Sequence, residues 1–182
     1  MTDRDEVIVR AARPVELAEI GDLRVTAYRA GAFLPPQSRY EPTLRALGAD
    51  GNGTVLVAVA RGDDNRILGT VMLQYWPHAG QVVTGPDEAE IRALAVVPDA
   101  QGQGTGSGLL RAVIERAAQR GVQHLVLVSQ PEMRAAHHLY QREGFRRLPE
   151  RDWSPHPGAI LLAYGLPLTA GTGMRATQGA AT

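Results

Sequence analysis

The chain has 182 residues, which is enough for one domain with a sizeable hydrophobic core. Its 19 basic residues, all arginine, and its 19 acidic residues give zero formal net charge, which argues against nucleic acid or a membrane surface as a partner. The absence of cysteine excludes disulfides, thiolate metal sites and a cysteine nucleophile. The opening residues MTDRDE do not resemble a signal peptide, and no apolar stretch is long enough for a membrane span, so we expect a cytoplasmic protein.

The first half of the chain predicts a strand, two helices and a hairpin. A β-rich segment at 7–12 precedes a helix whose apolar residues recur every three or four positions from 17 to 27. A proline-rich break at 34–42 and a short helical segment follow. The apolar runs 54–60 and 66–76 flank RGDDN, a strong turn signal, and therefore predict an antiparallel hairpin.

The second half alternates predicted strands and helices. A strand at 88–97 runs into a glycine-rich stretch, and an amphipathic helix extends from about Gly104 to Gly121. The continuous apolar run 124–129 is typical of a strand buried on both faces. The chain closes with the β-rich segments FRRL and 159–166, so the order of elements predicts an α/β fold with a mostly antiparallel front half.

The fourth predicted helix has sequence signals at both ends. Ser129 and Glu132 have the spacing of a capping box, and Pro131 lies near the first helical position. The helix is expected to end at Gly144.

We expect a single domain over residues 1–166. The remaining segment, 167–182, lacks periodic apolar residues and is predicted to be a disordered tail.

Four glycines occupy alternate positions from Gly102 to Gly108, between a predicted strand and a predicted helix. Backbone N–H groups at a helix start, together with the positive end of the helix dipole, form a suitable site for an anion. The spacing does not fit the dinucleotide fingerprint G-x-G-x-x-G, and a Walker A loop needs a lysine, which the chain lacks. A flexible surface loop is the alternative interpretation, which the closely flanking strand and helix disfavour.

The spacing of Gln101, Gly104 and Gly106 fits the pattern Q/R-x-x-G-x-G/A, and here the chain resembles the GCN5-related N-acetyltransferase (GNAT) family. The segment AEIRALAVVPDAQGQGTGSGLL resembles the family's acetyl-coenzyme A motif, and AAHHLYQREGF resembles a second signature, a tyrosine-bearing helix that ends at Gly-Phe. The resemblance covers 7–166 in element order and 88–146 at motif level. It implies the GNAT fold, a mixed, mostly antiparallel sheet of about six or seven strands flanked by about four helices.

The resemblance also implies where the cofactor binds. The pyrophosphate of coenzyme A is expected on backbone N–H groups of the glycine-rich turn, and the pantetheine arm is expected to pair with the backbone of the preceding strand. The implied cofactor residues are Ala95, Val96, Val97, Gln101, Gly102, Gln103, Gly104, Thr105, Gly106 and Ser107.

A protonated amine must lose a proton before it can accept an acetyl group. Glu90 lies where several family members carry a glutamate base, eleven residues before Gln101. On a strand Glu88, Glu90, Arg92 and Leu94 are expected to share one face, so Glu88 is a second candidate for the base and Arg92 a candidate partner. A water chain is a further candidate, and a solvated carboxylate at a strand end is the structural alternative for Glu90.

The departing thiolate of coenzyme A benefits from a proton donor. Tyr140 aligns with the family's tyrosine general acid, and a core tyrosine is the structural alternative. Many members carry an asparagine seven residues before this tyrosine, where the present chain has Met133; Ser129 or His138 is the candidate substitute.

Acceptor contacts in the family come from two loops, here GAFLPPQSRYEP and PERDWSPHPG. Phe33, Tyr40 and Trp153 are candidates for an apolar wall, and ordinary loop packing is the alternative for each. Three acidic residues of the same loops are candidates for binding an ammonium group: Glu41, Glu150 and Asp152.

The resemblance implies an acetyl-CoA-dependent N-acetyltransferase in which a primary amine attacks directly within a ternary complex. A small-molecule acceptor is favoured over a protein N-terminus or a lysine, and a homodimer is common in the family. A non-catalytic acyl-CoA-binding sensor, and an enzyme that uses a longer acyl donor or an oxygen nucleophile, are the alternatives. The five histidines lack ligand spacing, so we expect no metal.

Overall fold

The computed structural model describes residues 7–80 and 82–168. The strands in this part of the chain are β1 (Val7–Ala11), β2 (Thr54–Ala60), β3 (Asp63–Tyr75), β4 (Glu88–Val96), β5 (His124–Ser129), β6 (Arg146–Arg147) and β7 (Leu162–Pro167). The α-helices are α1 (Leu17–Ala30), α2 (Glu41–Ala46), α3 (Thr105–Gln119) and α4 (Arg134–Arg142). Within the described residues no helix has both the length and the apolar character needed to cross a bilayer.

The strands form one sheet in the order β1-β2-β3-β4-β5-β7-β6. The β4–β5 pair is parallel and the other neighbouring pairs are antiparallel. This arrangement confirms the predicted mixed, mostly antiparallel sheet with flanking helices.

The two faces of the sheet are covered by different helices. The apolar stripe of α3, from Leu109 to Ala117, packs with Leu73 of β3 and Leu125 of β5. On the opposite face Ile20 of α1 packs against the hairpin of β2 and β3. Each of these stripes follows the helical spacing read in the sequence, and each fully buried leucine or isoleucine contributes about 1.5–3 kcal/mol.

A bulge interrupts β4 in its middle. The register with β3 slips between Thr70 and Met72, and Ala93 has a left-handed φ of 51°. Alternation along the strand therefore changes at this point, and Leu94 packs with Ile91 in the cluster beneath α3. The prediction that Leu94 shares a face with the polar residues upstream is wrong, because the extra residue shifts the alternation by one.

β4 and β5 pair only at their beginnings. The parallel ladder joins Glu88–Glu90 to His124–Val126 and then ends, although both strands continue. The downstream half of β4 is paired on one edge only, with β3. A cleft therefore opens between β4 and β5 towards their carboxyl ends.

Three predicted boundaries differ from the structure. The hairpin turn is shorter than RGDDN, because β3 already begins at Asp63, opposite Ala60, and Gly62 takes the positive φ that a tight turn needs. β7 begins at Leu162 instead of 159 and still includes Pro167. The rest of the predicted tail, 169–182, lies outside the described residues, so its disorder stays a prediction.

The predicted capping box is wrong. α4 begins at Arg134, and the residue before it, Met133, makes no side-chain cap. Ser129 instead ends β5, where its hydroxyl donates to Met133 Sδ at 3.5 Å and lies 3.2 Å from His137 Nε2. Pairing of Ser129 with Leu162 of β7 holds it in the sheet, and its hydroxyl contacts side chains of α4 and its cap instead of a backbone N–H.

Candidate active site

The cleft between β4 and β5 contains a cavity of about 680 Å³. Its walls come from the end of α1, the downstream half of β4, the glycine-rich turn, the end of β5 and one face of α4. Of the residues singled out in the sequence, the cavity lining includes Phe33, Arg92, Ala95, Val96, Gln101, Gly102, Gly104, Gly106, Ser107, Ser129, His138 and Tyr140. The fold therefore brings most of the predicted cofactor residues and one catalytic candidate to a single cavity.

The glycine-rich turn presents unpaired backbone N–H groups. Gly102 and Gly104 have φ values of 73° and 90°, which residues with a Cβ rarely adopt. The first helical bond of α3 runs from Gly108 N–H to Gly104 O at 2.9 Å. No acceptor among the described residues takes a hydrogen bond from the N–H groups of 102–107. Such a set of donors at a helix start suits an anion.

Side chains around the turn keep its shape. Gln101 Nε2 donates to Val96 O at 3.1 Å, and Gln103 Nε2 donates to Asp99 O at 2.7 Å. Val97, Gln103 and Thr105 do not line the cavity; Val97 N–H instead donates to Leu68 O at 2.9 Å. What Gln103 and Thr105 offer at the turn is a main-chain N–H group without an acceptor among the described residues.

Tyr140 of α4 reaches the cavity from the protein core. It is 6% exposed and packs against Phe145 and Tyr164, with ring centroids 6.1 and 5.8 Å away. Burial raises the pKa of its hydroxyl above the usual value. The hydroxyl therefore stays protonated at neutral pH and remains able to donate into the cavity.

Glu90 lies beside the cavity and is not part of its lining. Glu90 is 4% exposed, and its Oε2 accepts a hydrogen bond from Gly80 N–H at 2.6 Å. Burial raises the pKa of Glu90, while the nearby Arg92 guanidinium and the Gly80 N–H act in the opposite direction. A raised pKa makes the carboxylate a stronger base.

The family follows from comparison with known proteins. The model of the acetyltransferase (GNAT) family matches residues 17–145, which is more than half of the chain. The chain belongs to the GNAT acetyltransferase family. This membership confirms the resemblance read from the two motifs.

Related proteins show where the likeness is strong and where it is partial. A mycothiol acetyltransferase from Cellulomonas flavigena is 32% identical over 121 residues, covering 65% of this chain and 35% of the relative. The chain thus spans about a third of the length of that curated relative. A GNAT acetyltransferase structure from Staphylococcus aureus Mu50 superposes with a TM-score of 0.71 at 15% identity, covering 90% of this chain and 100% of the other.

A second solved structure, of a phosphinothricin acetyltransferase from Sinorhizobium meliloti in complex with AcCoA, gives a TM-score of 0.66 at 20% identity. The match covers 95% of this chain and 94% of that one. At these identities the structural likeness establishes the GNAT fold alone.

The second candidate for the base, Glu88, belongs to an ion-pair network of this GNAT domain. Arg151 donates to both of its oxygens at 2.7 and 2.8 Å, and His124 Nδ1 and Thr84 N–H lie 3.1 and 2.8 Å away. The Arg151 guanidinium holds the pKa of Glu88 at about 2, so this carboxylate is a weak base. It does not line the cavity.

Two arginines near the cavity received no substrate or cofactor role from the sequence, although Arg92 was a candidate partner of the base. Arg92 lines the cavity, and its Nη1 donates to Gln74 Oε1 at 3.1 Å while its Nε lies 3.8 Å from Glu90 Oε1. Arg24 is fully buried on α1, and its Nη1 donates to Leu47 O at 2.7 Å. Its other nitrogens, Nε and Nη2, have no partner in the described structure. The one sequence signal for Arg24 was a charge on the apolar face of the helix.

The substrate candidates divide between cavity and surface. Phe33 lines the cavity, and its main-chain oxygen accepts a bond from Gln130 Nε2 at 3.0 Å. Tyr40 is 41% exposed and, like Trp153, is not part of the cavity lining. The main chain of Trp153 pairs with Leu161 at 2.8 and 3.0 Å.

The acidic residues proposed to bind an ammonium group do not line the cavity. Glu41 pairs with Arg29 and Arg45, and Asp152 pairs with Arg147. Their carboxylates are therefore compensated within the protein. In the described ranges no three His, Asp or Glu side chains are grouped in a way that suits a metal ion.

Proposed function

We propose that this chain is an acetyl-CoA-dependent N-acetyltransferase in which a primary amine attacks the acetyl group directly within a ternary complex. The observation that carries the proposal is the row of unpaired N–H groups at 102–107, at one end of a cleft formed by the separation of β4 and β5. A diphosphate needs several fixed donors near a positive helix end, and the turn supplies them.

The remaining cofactor contacts follow from the lining of the cavity. The unpaired edge of β4, from Ile91 to Val96, is available to the amide groups of the pantetheine arm. Gly106 lies beside α4, since a Cβ at this position would be 3.2 Å from Leu139 Cδ2. Arg142 and His138 line the cavity on the same helix and are suited to the remaining phosphate. Sequence reasoning gave no cofactor role to Arg142, which lies one helical turn beyond Leu139.

Acetyl-CoA supplies an activated acetyl group on a thioester. Tyr140 donates a proton to the departing sulfur, because it lines the cavity and its hydroxyl is protonated at neutral pH. Since the chain has no cysteine, direct attack by the amine is the simplest route.

Glu90 is the proposed base. An alkylamine of pKa about 10.4 is almost fully protonated at pH 7, and neutralising it costs about 4.6 kcal/mol. Because Glu90 lies behind the cavity lining, it takes the proton through an intervening water. Glu88 is not proposed, since its carboxylate is held by Arg151.

The proposed acceptor is a small-molecule amine, and the proposed location is the cytoplasm. A homodimer stays a prediction from the family. A sensor that binds acyl-CoA without turnover would use the same turn but would not need Tyr140.

The test is release of free thiol from acetyl-CoA with a panel of amines and amino acids, read by a thiol reagent, together with calorimetric titration of acetyl-CoA. The proposal predicts binding and amine-dependent thiol release. Binding without release from any amine would favour the sensor, and absence of binding would contradict the proposal.

A further inference from the structure

The end of the cavity away from the glycine-rich turn has an unbalanced positive charge. The described residues that line the cavity include Arg92 and Arg142 but no aspartate or glutamate. Arg142 lies on the α4 side, near the turn, whereas Arg92 is on β4. Gln101 of the turn donates to Val96 O, which places Val96 beside the turn. Arg92 precedes Val96 on β4 and therefore lies about 10 Å away from the turn, measured along the strand.

The groups around Arg92 indicate that the acceptor amine binds at this end of the cavity. Arg92 lines the cavity together with Tyr28, and Arg24 lies on α1 four residues before Tyr28, on the same side of the helix. Tyr28 and Tyr140 both line the cavity, and Tyr140 is the proposed donor to the departing sulfur. The amine must therefore approach near Arg92.

The net charge at this end of the cavity is positive whether the carboxyl group of Glu90 is ionised or protonated. Burial lowers the pKa of Arg24 to about 10, so its guanidinium is still charged at neutral pH. The tyrosines Tyr28 and Tyr140 are neutral because burial raises their pKa values. Even when Glu90 is ionised, its single negative charge balances only one of the two guanidinium groups, and its contact with Arg92 Nε is long, at 3.8 Å.

A buried cation without a counter-ion, such as Arg24, is costly, and together with the half-buried Arg92 it favours an anionic ligand in the cavity. Arg92 presents a planar guanidinium whose described side-chain hydrogen bond uses only Nη1, towards Gln74. This leaves donors that match a carboxylate in fork geometry. The apolar surfaces of Tyr28 and Phe33 flank the same end.

We propose that the acceptor amine carries a carboxylate close to the amine, as in an amino acid, and that this carboxylate binds Arg92 in the positive field of Arg24. The inference rests on the proposed acetyl transfer and adds the acceptor class. Polyamines and other purely cationic acceptors are disfavoured by the same charges.

The experiment compares three acceptors that differ only at the acid group: an amino acid, its amide, and the amine left when the carboxylate is removed. The set is made for several side chains, including leucine and phenylalanine. The amine of the amide loses its proton more easily than that of the free acid, so amine reactivity alone favours the amide. We expect the kcat/KM of the free amino acid to be at least tenfold higher than that of its amide or of the amine without the carboxylate.

Two variants test the assigned arginines. Arg92→Gln is expected to raise the KM of the carboxylate acceptor about tenfold or more, with little change for the amine that lacks the acid and none in acetyl-CoA affinity. Arg134→Gln removes an exposed arginine of α4 outside the cavity and is the matched control. If Arg92→Gln does not fold, Arg24→Met replaces a buried charge by an apolar chain, which proteins tolerate well, and is expected to change the same KM in the same direction.

The outcomes separate the two proposals. If the wild-type chain does not bind acetyl-CoA, both the acetyltransferase proposal and the carboxylate inference are overturned. Binding and transfer with equal kcat/KM for all three acceptors, or an equal effect of Arg92→Gln on all of them, would overturn the carboxylate inference and leave the acetyltransferase proposal in place. If no acceptor is acetylated, the melting temperature of the coenzyme A-bound protein is measured with amino acids added. No rise in that temperature would then overturn the carboxylate inference.

Discussion

The hydroxyl of Tyr140 distinguishes a catalytic tyrosine from a core tyrosine. The ring packs as a core residue does, against Phe145 and Tyr164, yet the same residue also lines the cavity. A protonated tyrosine hydroxyl in a residue that lines a cavity can donate to a bound ligand. Packing and the proposed proton donation would then use different atoms of the same side chain.

Tyr140→Phe tests this separation. Since the ring is kept, we expect the free energy of unfolding and the affinity for acetyl-CoA to change little, while kcat falls about 100-fold or more. The measurement is thiol release at saturating acetyl-CoA. Tyr75→Phe, in a side chain outside this cavity, is the control. Unchanged kcat in Tyr140→Phe would mean that the tyrosine is structural.

At the scale of elements, the start of α3 depends on glycines with positive φ. Gly104 has a φ of 90°, and a Cβ built there would meet no atom within 4 Å, so only backbone strain opposes a larger residue. Gly121, after α3, has a φ of 75° and equally open surroundings. The two positions differ in that Gly104 lines the cavity.

Gly104→Ala is therefore expected to weaken acetyl-CoA binding about tenfold, because relief of the strain shifts the N–H groups of the turn. Gly121→Ala is expected to cost a similar amount of stability, about 1 kcal/mol, with unchanged affinity. Calorimetric titration and urea unfolding of both variants make the comparison. Equal affinities in the two variants would contradict a role of the turn in binding.

The start of β4 is tied to the segment after β6 by an ion pair. Glu88 accepts from both terminal nitrogens of Arg151, which also donates to Val82 O. The folded protein thereby keeps the pKa of Glu88 at about 2, against 4.5 for the free side chain. A lowered carboxyl pKa stabilises the fold above the unfolded pKa and loses this contribution as the pH falls through the folded value.

Glu88→Gln is accordingly expected to destabilise the protein by about 1–2 kcal/mol at pH 7. The difference from wild type should shrink as the pH falls from about 4.5 to about 2. Urea unfolding of both proteins across this range measures it, and Arg151→Gln provides the partner for a double-mutant cycle. A stability difference that does not change with pH would contradict the assigned ion pair.

For the whole molecule, the sequence predicts the sheet better than the departures from it. The apolar run of β2 at 54–60 and that of β5 at 124–129 were predicted with their observed bounds, because burial on both faces leaves a continuous hydrophobic signal. The bulge at Ala93 has no such signal, since alanine fits either face. Ser129 failed as a cap because its pairing in the sheet outweighs local capping, a competition that spacing does not reveal.

The candidate site was predictable to the same uneven extent. Glycines often mark positions where the backbone needs a positive φ, so the turn at 101–107 could be predicted from the sequence. The position of Glu90 behind the lining depends on side-chain packing around Gly80, and the unpaired Arg24 depends on contacts between α1 and the residue after α2. Contacts between distant segments are set by the fold and leave little local trace.

The most direct test of the account is a crystal structure of the chain with acetyl-CoA. We expect the diphosphate to accept hydrogen bonds from main-chain N–H groups between Gln103 and Ser107, and the pantetheine arm to lie along β4 in the gap that separates it from β5. A cofactor bound elsewhere, or a turn whose N–H groups stay unoccupied beside a bound cofactor, would contradict it.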